Sequence, residues 1–355
     1  MFVFLIVFLS SCALSQLDPV QSEAAVLPPA QVAPTEVPLP TDSPMADHIP
    51  TVALKAIPEI GQIPTAIARG IEAAFPTPKP TATPVPSPTA SPVPSPTSTP
   101  CADPGQIVTG TYPSEVIGLA SPYRVYLPPC YGDGEHVYPT LYMLPGNIHT
   151  DYIWDYLGLD DAAEEAIKRG EIPPLLIVMA SGGAKLNYTS GGPWSYESVI
   201  MDDLIPFIES RYCVWQDPAG RAIGGMSRGG YWALEIAFRH PEQFVSVGGH
   251  SASLYDLYGG PDVVPQSTGL ANDLGDLRIY FDVGENDWVI PNVRKLHEDL
   301  DVAGKEHVWI VNEGWHEDAY WASHTEEYIN WYGEPWSMQR DSYPLCNHEA
   351  GSQSQ

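Results

Sequence analysis

From residue 101 onward the sequence alternates continuous apolar runs with stretches of helical character, and this alternation restricts the possible folds more than any other feature. Runs such as TLYML and LLIVMA contain no regular polar positions, which is typical of strands buried on both faces. Strands and helices in alternation indicate an α/β fold with a mostly parallel central sheet and helices on both faces. We expect strands at 123–127, 140–144, 175–180, 221–224, 277–283 and 307–311, and helices at 160–169, 199–211, 230–240, 292–303 and 321–331.

The first 100 residues have a different composition. Residues 13–100 are dominated by Pro, Thr, Ala and Ser, whereas residues 101–355 hold every Trp and nearly all Tyr and Phe beyond the leader. Because a core needs these large side chains, we expect one domain at 101–355. Residues 12–75 are expected to be disordered or weakly ordered. Residues 76–100 alternate Pro with Thr, Ser, Ala and Val, which predicts a stiff, extended linker.

The first twelve residues indicate export from the cytoplasm. Residues 1–9 form an unbroken apolar stretch that is too short for a transmembrane helix but suits a signal peptide. The Ser-Ser-Cys that follows resembles a bacterial lipobox, so residues 1–11 are interpreted as a lipoprotein-type signal peptide and Cys12 as the lipidated residue. The alternative is a plain secretory signal in which Cys12 is incidental. A lipid on Cys12 would anchor the chain to a membrane of the bacterial cell envelope.

Four cysteines follow residue 100, and an even number suits disulfides in an oxidising compartment. Four cysteines allow three pairings, of which we favour Cys101–Cys130 and Cys213–Cys346. No two of them have the spacing of metal ligands, so we expect no metal site, and we expect no organic cofactor.

The net charge of the chain excludes one class of partner. It is −28 overall and −24 for residues 101–355. An acidic surface repels phosphate backbones, so we expect no binding to nucleic acid. The sequence gives no indication of the oligomeric state.

Ser227 lies between a short apolar run and a helical stretch, in the segment AIGGMSRGGYW. A tight strand-to-helix turn of the form G-x-S-x-G presents a serine hydroxyl at the end of a strand. Gly225 and Gly229 lack a Cβ, which allows the strand and the helix to pass close to each other. The pattern predicts that Ser227 is a catalytic nucleophile, whereas a surface serine in a glycine-rich loop is the alternative.

A serine hydroxyl needs a base that removes its proton, and the base needs an acid that orients it. His316 lies in the loop after the last apolar strand, where a base can reach a serine at a strand end. Asp287, in the loop after the LRIYFDV strand, is the predicted acid, and Glu285 is the alternative. Asp282 is expected to bond to local backbone. The other histidines at 240, 297, 324 and 348 are expected to be structural or exposed.

An oxyanion hole needs two backbone N–H groups. The amide of Arg228 at the start of the helix is one candidate, and the amide of Asn147, in the turn after TLYML, is the other. Ile148 is the second choice in that turn. His149 is expected on the surface, although it could line the pocket.

The IGGMSRGG, GENDW and GWHEDAYW motifs, in this order, resemble those of the esterase D-type esterases of the α/β-hydrolase superfamily. That group includes feruloyl esterases, S-formylglutathione hydrolases, enterochelin esterases and mycolyltransferase antigens. The resemblance covers residues 105–335 and implies an α/β-hydrolase fold, a triad of Ser227, Asp287 and His316, and an oxyanion hole at Asn147 and Arg228. Members often have His-Gly before the oxyanion residue, whereas this chain has Pro145-Gly146.

The function predicted from these residues is hydrolysis of carboxylic esters through an acyl-enzyme, with a small-molecule, glycan or lipid ester as substrate. One alternative is acyl transfer to a sugar or lipid alcohol, and another is a non-catalytic binding module on a hydrolase scaffold. Aromatic residues near the presumed cleft would suit a flat or sugar-like ester, but they would equally suit core packing: Trp154, Trp194, Tyr196, Tyr255 and Trp288.

Overall fold

The computed structural model describes residues 103–188, 191–254 and 264–346, and these residues form an eight-stranded sheet with helices on both faces. The order of the strands across the sheet is β1-β2-β4-β3-β5-β6-β7-β8. Their bounds are β1 Gln106–Ser114, β2 Leu119–Leu127, β3 Thr140–Leu144, β4 Leu176–Ala180, β5 Arg221–Met226, β6 Ser246–His250, β7 Arg278–Gly284 and β8 Val308–Asn312. The predicted α/β class with a mostly parallel sheet is therefore confirmed.

An antiparallel hairpin begins the sheet, and a parallel array follows it. β1 pairs with β2 and β2 pairs with β4 in antiparallel register, whereas all pairs from β4 to β8 are parallel. Strands β3 to β6 are buried along their whole length, as their continuous apolar character predicts. The parallel arrangement places the carboxyl ends of β5, β7 and β8 along one edge of the sheet.

Helices cover the two faces of the sheet, and successive residues of a strand contribute to opposite cores. Tyr142 and Leu144 of β3 belong to one core, and Leu141 and Met143 belong to the other. The helices are α1 Ile153–Tyr156, α2 Leu159–Arg169, α3 Lys185–Tyr188, α4 Tyr196–Ser198, α5 Ile205–Arg211, α6 Arg228–Arg239, α7 Pro265–Ala271, α8 Ile290–Val302, α9 Asp318–Ser323 and α10 Thr325–Gly333. Helices α5, α6 and α8 pack on the first core, and α2, α9 and α10 pack on the second.

Two strands were not predicted from the sequence. β1 is an edge strand with most of its residues partly exposed, so it lacks a continuous apolar run. β6 has the sequence SVGGH, in which two glycines replace the large apolar side chains typical of a buried strand. A Cβ on Gly224 or on Gly248 would lie 2.0 Å from the Tyr332 hydroxyl. The side chain of Tyr332, which belongs to α10, therefore fills the space beside both glycines.

Two predicted helices are interrupted. The helix predicted at 321–331 is divided at His324, whose backbone leaves the helical region. The helix predicted at 199–211 consists of a wider π-helical segment Val199–Leu204 and α5, and the short helix α4 directly precedes it. Pro206 lies just after this wide segment, and a proline cannot donate to the carbonyl of the preceding turn. The apolar pattern predicts continuous helices, whereas the local backbone near Pro206 and at His324 interrupts them.

A disulfide between Cys213 and Cys346 ties the end of the described chain to the domain. The two Cα atoms are 5.7 Å apart and the residues are 133 positions apart in sequence. This is the pairing expected for these two cysteines. Cys101, the expected partner of Cys130, lies outside the described residues, as do the leader, Cys12 and the linker. None of the helices within 103–188, 191–254 and 264–346 has the length and apolar character needed to cross a lipid bilayer.

An ion pair at the end of α6 gives the fold a pH-dependent contribution. His240 Nε2 lies 2.7 Å from Glu197 Oε1, and this hydrogen bond raises the pKa of His240, although partial burial opposes the rise. A histidine whose pKa is higher in the folded than in the unfolded protein stabilises the fold at pH values below its pKa in the unfolded protein. This contribution is lost as the pH rises through its pKa in the folded protein.

We therefore expect that replacing His240 with Gln lowers the free energy of unfolding more at about pH 6 than at about pH 9. Urea denaturation of both proteins at the two pH values measures the difference. The same loss at both values would contradict a charged His240–Glu197 pair.

Candidate active site

Ser227 lies at the turn between β5 and α6 in a strained backbone conformation. Its φ is 52° and its ψ is −118°, outside the regions that a serine ordinarily occupies. Its N–H donates to the His250 carbonyl at 2.9 Å, and its carbonyl accepts the N–H of Ser253 at 2.8 Å. These bonds to the last residue of β6 and to the chain after it hold the strained turn in place.

Gly225 and Gly229 allow the turn to form. A Cβ on Gly225 would lie 2.5 Å from the backbone of Gly229, and a Cβ on Gly229 would lie 2.4 Å from the Pro145 carbonyl oxygen. Since no real Cβ approaches backbone so closely, both positions require glycine. The second distance also shows that the serine turn touches the turn after β3.

Replacing Gly229 with Ala is therefore expected to lower the free energy of unfolding by about 1–3 kcal/mol, since the added carbon overlaps rigid backbone. Urea denaturation measures the loss. Gly134→Ala is the matched control, because its Cβ would only touch the Arg340 side chain at 3.4 Å. Equal stability of the two variants would contradict the required close approach.

Ser227, His316 and Asp287 are joined by hydrogen bonds. Ser227 Oγ lies 2.9 Å from His316 Nε2, and His316 Nδ1 lies 2.9 Å from Asp287 Oδ2 and 3.0 Å from Oδ1. The His316 Nδ1–H donates to the carboxylate, which leaves Nε2 to accept the serine proton. The structure therefore brings together the three residues predicted from separate motifs.

The loops that carry Asp287 and His316 are bonded to each other. The amide of Glu285 donates to the Asn312 carbonyl at 2.7 Å, and the amide of Asn286 donates to the Gly314 carbonyl at 3.0 Å. Asp287 is only 2% exposed, and its Oδ1 also accepts the Val289 amide at 2.9 Å. These bonds hold the carboxylate within hydrogen-bond distance of His316 Nδ1.

Glu285, the alternative acid, has a different environment. Its side chain is exposed, and its carboxylate accepts from the Asn286 side-chain amide at 3.3 Å. Asp287 is therefore the acid that the structure places against His316.

The turn after β3, which carries the proposed oxyanion residue Asn147, packs against the serine turn at Gly229. Trp154 is buried and its Nε1–H donates to the Leu144 carbonyl at 3.0 Å, which supports the start of this turn. The Asn147 carbonyl accepts from the Asn187 side chain at 3.3 Å, and Asn147 and Ile148 are both exposed.

Arg228, whose amide is the other oxyanion candidate, is the first residue of α6, a helix of twelve residues. Its amide therefore lies at the positive end of the helix dipole.

The side chain of Arg228 has a structural role that the sequence did not suggest. It is buried, its Nε–H donates to the Leu186 carbonyl at 3.1 Å, and its guanidinium lies 3.9 Å from the centre of the Tyr231 ring. The Trp232 indole N–H donates to the same carbonyl at 2.8 Å. Two side chains of α6 thus hold the short helix α3, which carries Asn187, the residue bonded to Asn147.

Comparison with known proteins agrees with this geometry. Residues 114–327, well over half of the chain, match the family model described as Esterase, Putative esterase. The chain belongs to this esterase family. The match ends beyond α9, so it includes all three motifs of the candidate triad.

Two curated relatives of this family member are much longer than the matched region. The chain is 30% identical over 222 residues to an endo-1,4-beta-xylanase/feruloyl esterase of Xylanibacter ruminicola. It is 31% identical over 147 residues to an esterase of Mycobacterium tuberculosis. These alignments cover 59% and 39% of this chain but only 29% and 31% of the two relatives. The chain therefore spans less than a third of the length of either relative.

A solved ferulic acid esterase has the same fold as this esterase-family chain. The two superpose with a TM-score of 0.59 and 24% sequence identity, over 66% of this chain and 98% of the other. The fold is therefore that of the α/β-hydrolase esterases, as the sequence motifs implied.

His149 does not lie on the surface, contrary to expectation. Its side chain is only 10% exposed, its Nε2 lies 3.4 Å from Asp318 Oδ1, and its ring packs against Gly146 in the turn after β3. Burial lowers the pKa of His149, the Asp318 carboxylate opposes this, and the nearby His316 lowers it further. Burial of His149 beside the turn after β3 therefore favours its neutral form.

The expectation that Asp282 bonds to local backbone is wrong. Asp282 is fully buried at the end of β7, where its Oδ1 lies 2.8 Å from His250 Nδ1. Its Oδ2 accepts from the hydroxyls of Tyr320 and Tyr328 at 2.6 and 2.8 Å. His250 Nε2 lies 3.2 Å from the Tyr332 hydroxyl. We call these five side chains the buried histidine–aspartate network.

This network lies directly beneath the serine turn, because the His250 carbonyl accepts the Ser227 amide. Burial, and then the charge of Asp282, raise the pKa of Tyr320 and Tyr328, so both hydroxyls keep their protons and donate. The sequence offered only a weak signal for it, namely three tyrosines spaced eight and four residues apart near the carboxyl terminus.

The aromatic residues expected near the cleft divide into two groups. Trp154 and Tyr196 are fully buried and belong to the cores, whereas Trp194 and Trp288 are 65% and 52% exposed. Trp288 contacts the His316 ring, with centroids 5.0 Å apart. Tyr255 lies outside the described residues.

Proposed function

We propose that this chain is a serine-dependent carboxylic-ester hydrolase whose nucleophile is Ser227. The observation that carries the proposal is the continuous hydrogen-bonded chain from Ser227 Oγ through His316 to the buried Asp287. A hydroxyl, an imidazole and a carboxylate in this order form the unit that activates serine in acyl transfer. Membership of the esterase family supports the same reaction class.

In the proposed first step, His316 Nε2 takes the proton of Ser227 as Oγ attacks the ester carbonyl carbon. The carbonyl π-electrons move to the oxygen, and the amides of Asn147 and Arg228 donate to that oxyanion. The tetrahedral intermediate then collapses, the C–O bond to the alcohol breaks, and His316 gives its proton to the departing alcohol. Asp287 stabilises the imidazolium while the proton is held.

In the second step, water attacks the acyl-enzyme and His316 Nε2 takes the proton of that water. The bond from the acyl carbon to Ser227 Oγ breaks, the proton returns to Oγ, and the acid is released. The His250 backbone carbonyl, which accepts the Ser227 amide, helps to hold the strained turn through both steps, and the buried histidine–aspartate network fixes the side chain of the same residue.

For the substrate, we propose an ester of an aromatic acid with a sugar or a similar alcohol. Trp288 contacts the His316 ring and Trp315 directly precedes His316 in the chain, and their side chains are 52% and 60% exposed. Exposed tryptophans offer flat faces that stack on aromatic rings or sugar rings. One curated relative is named an endo-1,4-beta-xylanase/feruloyl esterase, which agrees with such a substrate.

A panel of acetyl, feruloyl, long-acyl and thioester substrates tests this class on the full chain. We expect Trp288→Ala to raise KM for feruloyl esters by about tenfold, equivalent to an aromatic contact of about 1.4 kcal/mol, and to leave KM for acetyl esters nearly unchanged. Equal effects on both substrates would exclude an aromatic acyl site at Trp288. Product analysis with glycerol or trehalose present separates hydrolysis from acyl transfer.

We further propose that the enzyme acts outside the cytoplasm, tethered through a lipid on Cys12. The apolar leader, the Ser-Ser-Cys sequence and the proline-rich segment 76–100 support this placement. Metabolic labelling with a palmitate analogue in a bacterial host measures the anchor. Labelling of the wild type that is lost in Cys12→Ser is expected, whereas secretion of an unlabelled wild type would show a plain secretory signal.

A further inference from the structure

Two histidines and one aspartate form a cluster near the amino end of β8, whereas the candidate triad lies at the carboxyl ends of the strands. His297 and Asp301 lie one turn apart on α8, and His307 directly precedes β8, whereas His316 follows the opposite end of that strand. One donor atom from each of the three side chains lies within 4.8 Å of the others. We propose that His297, Asp301 and His307 bind a divalent transition-metal ion of the zinc type.

The contact between the two histidines is the first support. His297 Nδ1 lies 2.8 Å from His307 Nε2. At this distance the N–H of His297 can donate to the lone pair of His307, and a metal ion that takes the place of this proton would bind both nitrogens. Two nitrogens bound tetrahedrally to zinc at about 2.0–2.1 Å are about 3.3 Å apart, so the pair has to open by only about 0.5 Å.

The surroundings of the rings are the second support. His307 Nδ1–H donates to the Lys305 carbonyl at 2.8 Å, which leaves Nε2 as the acceptor facing His297. A backbone carbonyl bonded in this way orients metal-binding histidines in many sites. Trp309 stacks on His297 at a centroid distance of 5.2 Å, and Phe281 stacks on His307 at 5.0 Å. The two rings are therefore held in place before any ion arrives.

Asp301 supplies the third donor. Its Oδ2 lies 4.0 Å from His297 Nε2, and its side chain is 66% exposed, so the carboxylate is free to turn toward an ion beside the two rings. Two nitrogens and one carboxylate oxygen are a donor set for zinc and its neighbours, whereas calcium and magnesium prefer oxygen alone. Water would complete the tetrahedron.

Ions can reach the cluster from solvent. His307 lines a cavity of about 910 Å³ together with Lys305 and Glu306. The charge of −24 on residues 101–355 raises the local concentration of cations. The cysteine spacing carries no information on this site, because its three donors are two histidines and one aspartate.

Equilibrium dialysis of the tag-free full chain, first stripped with a chelator, against zinc chloride tests the proposal. Elemental analysis is expected to find one zinc per chain, with affinity lowered at least about tenfold in His297→Gln, in His307→Gln and in Asp301→Asn. Asp299→Asn is the matched control, because Asp299 lies on the same helix but bonds to Lys295. Cobalt is expected to give a visible absorption band that the two histidine variants lose.

Two results would overturn the site: no zinc bound at micromolar concentration, which would leave a shared proton between the rings, or zinc binding that the three substitutions do not change. Circular dichroism and thermal melting without zinc establish that each variant is folded. Ester hydrolysis is measured in parallel, and Ser227→Ala is expected to keep its zinc affinity. Failure of the metal site and failure of the proposed hydrolase are thereby distinguished.

Discussion

Replacing Ser227 with Ala is expected to lower kcat/KM for short p-nitrophenyl esters by about 10⁴- to 10⁶-fold. The substitution removes the atom that forms the acyl bond but adds no atom to the crowded turn. The fold is therefore expected to persist, as circular dichroism and the urea midpoint would show. Initial-rate measurements on the full chain with p-nitrophenyl acetate give the loss directly.

Two further variants test whether Ser227 and His316 act together. His316→Gln should lose a comparable factor, and the double variant with Ser227→Ala should lose no more than either alone, because the triad acts as a unit. Ser210→Ala is the control, since Ser210 is an exposed serine on α5. A fluorophosphonate probe should label the wild type and the control but not Ser227→Ala. Turnover or labelling of Ser227→Ala at the wild-type level would refute the nucleophile.

The second large effect is expected on stability, from Asp282→Ala in the buried histidine–aspartate network. The substitution leaves His250 without its carboxylate and two tyrosine hydroxyls without their acceptor, all in a fully buried position. Removing the carboxylate from this buried hydrogen-bonded cluster is expected to lower the free energy of unfolding by about 3–5 kcal/mol. Urea denaturation with the disulfide intact measures it.

An exposed pair provides the comparison for Asp282. Glu334 pairs with Arg278, but its side chain is 65% exposed, so Glu334→Ala should lower the free energy of unfolding by only about 0–1 kcal/mol. If both variants lost the same amount, the network would contribute no more than a surface ion pair. A loss of activity in Asp282→Asn at unchanged stability would instead indicate that the network acts mainly on the Ser227 turn.

The parallel part of the sheet could be predicted from the sequence because its strands are buried on both faces. The runs TLYML and LLIVMA lack polar positions, and the structure places their strands within one residue of the predicted bounds. β1 and β6 gave no such signal. Within the described residues, β1 pairs only with its antiparallel partner β2, and β6 pairs with β5 and β7 while the Tyr332 side chain fills the space beside its Gly248. Both depend on contacts distant in sequence.

The candidate triad could be predicted because each member has a local signature. Ser227 has its glycines, and Asp287 and His316 follow strands, so chain order and strand-end placement were sufficient. His149 and Asp282 could not be predicted in the same way. Their environments are set by Asp318, His250 and the tyrosines of α9 and α10, which only the folded chain brings near.

The position of the buried histidine–aspartate network has a consequence for biosynthesis. Its three tyrosines lie on α9 and α10, and the disulfide at Cys346 closes still later in the chain. A growing polypeptide that has emerged only as far as Ser227 holds the proposed nucleophile but lacks the proposed base and acid and the tyrosines of the network. In the proposed hydrolase, acyl chemistry therefore requires synthesis through α10, and a chain cut short before Asp318 is expected to be inert rather than partly active.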